Sequence, residues 1–197
     1  MDSPNYRSAL DGVVAVFDAL GVSYLVAGSV ASMAYGVMRT TLDVDVVADL
    51  RVEHVRPLAA ALSGPYYADL EMIADAVRDR AWFNVIHLET MFKVDVFVLK
   101  PNPYDQQAFT RAVGRRLEDL PNGPELSIEA PEDLILNKLR WFELGGRVSE
   151  RQWGDLIGVL RVNASGLDLA YLQRWAGNLG LDELLGVALR SIADDRS

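Results

Sequence analysis

Three aspartates attract attention because of the residues around them. Leu42-Asp43-Val44-Asp45-Val46-Val47 is a valine-rich run of the kind that forms a strand, and alternate side chains of a strand share a face. Asp43 and Asp45 therefore point one way, while Val44 and Val46 point into the core. Two such carboxylates on a hydrophobic strand repel each other and resist burial. A divalent cation compensates directly, and oxygen-only ligands suit Mg2+ or Mn2+. Lys93-Val94-Asp95-Val96-Phe97 repeats the pattern, with Lys93, Asp95 and Phe97 on one face. If the two strands are neighbours, Asp95 completes a carboxylate triad. Three carboxylates can hold two metal ions, one activating a hydroxyl and the other neutralising a triphosphate and its leaving group. A carboxylate at the third position can also accept the nucleophile's proton. Taken alone, Asp-x-Asp is more often a solvent-facing pair on an edge strand, because short motifs match by chance. Lys93 with Asp95 reads equally well as a surface ion pair.

Upstream, Gly28-Ser29 joins a short apolar strand, residues 24–27, to a helix through Tyr35, with Ser29 expected as its cap. Backbone N–H groups at such a junction can face phosphate oxygens, and glycine lets the phosphate come close. The elements around these residues alternate in type. Helical spacing covers 6–20, 52–62 and 69–77, and strand patterns cover 42–48, 82–88 and 92–99. The last two read as an antiparallel hairpin, and Pro101 and Pro103 break its second strand. From Pro131 onward the pattern is helical, with segments at 131–144, 150–161, 168–177 and 182–193. The expected fold class is α+β, an α/β core over 1–125 followed by a helical subdomain over 126–197. Trp141, Trp153 and Trp175 are expected to pack in the helical core.

The 197-residue chain is half hydrophobic, enough for a sizeable core, and its formal net charge is -9. That balance argues against a general nucleic-acid coat protein. It contains no cysteine and two histidines, which excludes disulfides, thiolate zinc sites and cysteine nucleophiles. No apolar run is long enough to span a bilayer, so a cytoplasmic protein with no membrane partner is expected.

The stretch Tyr24-Leu-Val-Ala-Gly-Ser-Val-Ala-Ser-Met-Ala-Tyr-Gly-Val-Met-Arg-Thr-Thr-Leu-Asp-Val-Asp-Val-Val resembles the signature of the polymerase-beta-like nucleotidyltransferase superfamily. That signature is a hydrophobic strand, Gly-Ser, a helix, and Asp-x-Asp on the next strand. Pro131-Glu-Asp-Leu-Ile-Leu-Asn-Lys-Leu, with Arg151-Gln-Trp-Gly-Asp155-Leu, resembles the helical region of bacterial AbiEii-type toxins of toxin-antitoxin systems. The resemblance implies a short mixed sheet flanked by helices. It also implies a Mg2+-dependent enzyme that moves a nucleoside monophosphate from an NTP to a hydroxyl on an RNA end or a small molecule. Asp43, Asp45 and Asp95 would hold metal and carry catalysis. Gly28, Ser29, Arg39 and Lys138 would bind the nucleotide. An antitoxin partner is a further implication. The alternative is a non-catalytic binding module of the same fold. Keeping three aspartates, the Gly-Ser turn and Lys138 together argues against that alternative.

Overall fold

A computed structural model describes residues 6–37, 41, 43–116 and 125–194. Arg39 lies outside the described residues. The chain opens with helix α1 (Tyr6–Leu20), whose Tyr6, Leu10, Val13, Val14 and Phe17 form one buried stripe. Gly21, at φ +66°, ends it in a conformation that glycine adopts without strain. Strand β1 (Tyr24–Val26), helix α2 (Gly28–Ala34) and strand β2 (Asp43–Ala48) follow. Next come α3 (Val52–Leu62), β3 (Tyr66–Tyr67), α4 (Leu70–Asp79) and the hairpin β4 (Trp82–His87) and β5 (Phe92–Val98). The third stretch is α5 (Pro103–Thr110), β6 (Val113–Arg115) and β7 (Leu126–Ile128). Helices α6 (Pro131–Leu144), α7 (Glu150–Asn163), α8 (Leu169–Leu179) and α9 (Asp182–Asp194) close the chain.

The strands form one mixed sheet in the order β3-β4-β5-β2-β1-β7-β6. Its centre is the parallel pair β2 and β5, flanked by antiparallel partners, β1 beside β2 and β4 beside β5. One face carries Val44, Val46, Val94 and Val96, all buried. Helix α1 covers that face, its Tyr6 ring meeting Phe92, with α3 packed alongside. Each fully buried valine contributes roughly 1.5–3 kcal/mol, and the period of two puts Asp43, Asp45 and Asp95 on the opposite face by the same geometry.

Three local expectations need correcting. Ser29 does not cap α2. Ala27 occupies that position with no side-chain cap bond, and Ser32 instead bonds back to the Gly28 carbonyl at 2.9 Å. Pro103 does more than end a strand, because it is the first residue of α5, where its missing N–H is no loss. Asn102 caps that helix, its side chain accepting from the Asp105 N–H at 2.9 Å. Trp141 is not core but 55 % exposed.

A buried polar joint fixes α6 to its surroundings. Arg111, just past α5, donates to Asp133 at 2.9 Å and to Glu132 at 2.6 Å. Tyr171 of α8 donates to the other Asp133 oxygen at 2.6 Å, and the Arg111 guanidinium lies 3.9 Å over the Tyr171 ring. Asp133 is fully buried, so this bidentate network is what makes its charge tolerable. The joint sets the orientation of α6, the helix that carries Asn137, Lys138 and Trp141.

Candidate active site

The sheet brings the three aspartates side by side. Asp45 of β2 is the register partner of Asp95 of β5, and Asp43 is the partner of Lys93. Three carboxylates thus occupy neighbouring positions on one face of two hydrogen-bonded strands. The electrostatic result is clearest at Asp45. Burial first, then the charges of Asp43 and Asp95, push its carboxyl up to about 6, against the pull of Lys138 and Lys93. Lys93 meets Asp95 at 2.7 Å, and that hydrogen bond raises the lysine's own pKa. The second Asp95 oxygen, Oδ1, is buried and has no hydrogen-bond partner.

Gly28 leaves β1 at φ +60°, and a Cβ at that position would run into the Asp45 carboxylate. The turn is therefore pressed against the carboxylate pair, and only glycine fits both the backbone and the space. Ser29 is buried in the first turn of α2. Its backbone and that of Gly28 stand at a helix N-terminus, where anions are favoured.

A cavity of about 500 Å³ opens onto this face, and Gly28, Ser29, Asp43, Asp45 and Lys138 are all on its wall. Such a volume suits a small-molecule site. Helix α6 supplies the facing wall. Its Lys138 lies 3.7 Å from Asp155 of α7. Arg140 is 2.9 Å from Asp105 of α5.

Sequence reasoning missed Glu129, which the cavity also reaches. It follows β7 directly and is buried, with one oxygen accepting from Asn137 and the other, Oε2, without a hydrogen-bond partner. Burial is the main cause that pushes its carboxyl up to about 8. Tyr35 donates to its carbonyl at 2.8 Å, fixing the backbone there. Its neighbour Pro131 marks the helix start, but no periodicity in the sequence reveals that β7 joins β1 and buries the residue. Trp141 was legible in principle, since it lies three residues after Lys138 and so shares that helix face.

The oxygens of Asp43, Asp45 and Asp95 are of the type that hard divalent cations take. The raised Asp45 carboxyl and the partnerless Asp95 oxygen are the strains a cation relieves, so the donor set fits one. Among the described residues, however, no group of three or more carboxylates or histidines is closed into a metal-ligating cluster, and Lys93 engages one Asp95 oxygen.

Two solved structures share this architecture. Over 98 % of its length the chain superposes on 98 % of the antibiotic-resistance factor ANT(2'')-Ia in solution, with a TM-score of 0.52 and 12 % identity. Over 96 % of its length it superposes on 98 % of the same factor crystallised with adenylyl-2''-tobramycin, with a TM-score of 0.51 and 12 % identity. The chain has a nucleotidyltransferase fold. No family model matches it, and no curated protein matches it in sequence. Within the nucleotidyltransferase fold the site lies where the first two β-strands, the parallel partner β5 and helix α6 meet. No helix among the described residues is long and apolar enough to cross a membrane.

Proposed function

We propose that the chain is a metal-dependent nucleotidyltransferase that moves a nucleoside monophosphate from an NTP to the hydroxyl of a small-molecule acceptor. The observation that carries the reading is the packing of Gly28 against Asp45, with Asp43 and Asp95 beside it and Lys138 across the same cavity. Support also comes from the shared fold, since the crystallised neighbour holds an adenylylated antibiotic.

In this reading Asp43 and Asp45, with Asp95 beside them, hold Mg2+ or Mn2+. The metal would lower the pKa of the attacking hydroxyl and neutralise the triphosphate. The Gly28 and Ser29 backbone receives the phosphate oxygens at the N-terminus of α2. Lys138 adds a positive charge from the opposite wall, and Arg39, outside the described residues, is the further nucleotide-binding candidate. Asp95, held at Oδ2 by Lys93, completes the catalytic carboxylate set. Residues 1–125 then furnish the carboxylates and the phosphate turn, and 126–197 the helices that close the cavity.

The size of the cavity favours a small acceptor over the RNA end of a toxin-like enzyme, as does the net charge of -9. An antitoxin partner belongs to that less favoured reading. The test is transfer from α-labelled NTPs to a panel of hydroxyl compounds, with pyrophosphate release followed in parallel. Label on an acceptor, lost in Asp45→Asn, is expected. Absence of both label and pyrophosphate across the panel would favour the non-catalytic module.

A further inference from the structure

The aspartate-bearing face of the sheet continues into a row of apolar side chains. Leu25 of β1 is the register partner of Val47 of β2, Val47 of Phe97 of β5, and Phe97 of Trp82 of β4. The four therefore line up across four strands on one face. They lie two residues along the strands from the Asp45–Asp95 row, roughly 6.6 Å away. Leu25, Val47 and Phe97 reach the cavity. Trp141 of α6 leans over the row, its ring 6.3 Å from that of Phe97, which is also 6.3 Å from Trp82. Trp82 is 53 % exposed, Trp141 55 % and Leu144 75 %. Apolar residues scattered singly on a surface need no explanation. A contiguous aromatic set that borders a cavity marks a binding surface.

We infer that this row is the acceptor subsite, and that the acceptor presents a flat apolar ring to Phe97 and Trp141 while its hydroxyl reaches toward Asp45 and Asp95. The inference rests on the proposed nucleotidyl transfer and adds the class of substrate. In-line displacement puts the attacking oxygen opposite the leaving pyrophosphate. The phosphate turn at Gly28 and Ser29 begins level with Asp45, where the Ala27 N–H bonds the Asp45 carbonyl at 2.9 Å. The aromatic row lies on the other side of Asp45, toward Val47. The nucleotide's phosphates and the ring surface thus flank the carboxylates. Rings stack on such platforms in offset or tilted pairs; Trp141 is tilted by 59° on Phe97, and Phe97 itself is partly exposed.

The probes are 2-naphthyl β-D-glucoside, which carries a ring and hydroxyls, and methyl β-D-glucoside, which lacks the ring. Each is titrated calorimetrically into the full chain with and without MgATP. At least tenfold tighter binding of the naphthyl probe is expected. Trp141→Ala and Phe97→Ala should each weaken it about tenfold, Trp141→Tyr should restore most of the affinity, and MgATP affinity should stay within twofold. Trp141 is half exposed, so its removal leaves the fold intact, which a thermal melt checks. Equal binding of the two glucosides overturns the subsite. An equal loss of MgATP and naphthyl binding in Trp141→Ala assigns the row to the donor's base and overturns it also. Failure of wild type to bind any NTP counts against nucleotidyl transfer instead, and leaves the glucoside comparison to judge the ring surface by itself.

Discussion

Replacing Glu129 by Gln should make the protein more stable, by an amount that depends on pH. The Glu129 carboxyl ordinarily titrates at 4.5 and is pushed up to about 8 by burial, then by Asp133 and Asp45, against the help of Asn137 and Lys138. Its folded pKa lies above its unfolded one, so the folded state keeps a proton that the unfolded chain has released. Stability is undiminished below about pH 4.5 and is lost as pH rises toward about 8. At ~1.4 kcal/mol per pH unit, the loss is about 3 kcal/mol at pH 7, under about 1 kcal/mol at pH 5, and near 5 kcal/mol above pH 8. Glutamine has no proton to lose, and its carbonyl can still accept from Asn137. Urea unfolding of wild type and Glu129→Gln at pH 5, 7 and 8.5 measures the difference. A gain that grows with pH is expected. A variant no more stable at pH 7, or a gain that is the same at pH 5, refutes the reasoning.

Asp45→Asn should behave similarly in metal-free buffer, over the narrower window between 3.8 and about 6. The expected gain by urea unfolding is about 3 kcal/mol at pH 7.5 and about 1 kcal/mol at pH 4.5. Mg2+ should raise the melting temperature of wild type and leave that of Asp45→Asn unchanged. Gly28→Ala should lower stability by about 1–3 kcal/mol through its strained φ and the clash with Asp45, and should abolish NTP binding in the same calorimetric titration. Arg111→Ala strips the fully buried Asp133 of its cation. A loss of about 3–5 kcal/mol in denaturant titration is expected, and a loss under 1 kcal/mol would mean that Tyr171 alone satisfies that carboxylate.

Much of the site was legible because strand periodicity is a local signal. Val44 and Val46 are buried and Asp43 and Asp45 stand between them on the opposite face, as the alternation requires. The hairpin of β4 and β5 follows from two runs separated by a short turn. What the sequence withheld was non-local. The parallel register of Asp45 on Asp95 depends on a crossover through α3, β3, α4 and β4 that periodicity does not specify. Strands β3, β6 and β7 have two or three residues each, too few to show alternation, and Glu129 becomes interior only because β7 pairs with β1. Helix α5 escaped notice because only Tyr104 and Ala108 of it are buried. Trp141 looked like core because tryptophan usually is, yet it stands at the cavity edge with Leu144.

The most direct measurement is calorimetric titration of each NTP with Mg2+ into wild type and into the Asp43→Ala/Asp45→Ala double variant. Metal-dependent binding of at least one NTP by wild type, absent in a folded double variant, is expected. Binding that survives the double substitution, or no NTP binding by well-folded wild type, would contradict the assignment of this cavity to nucleotidyl transfer.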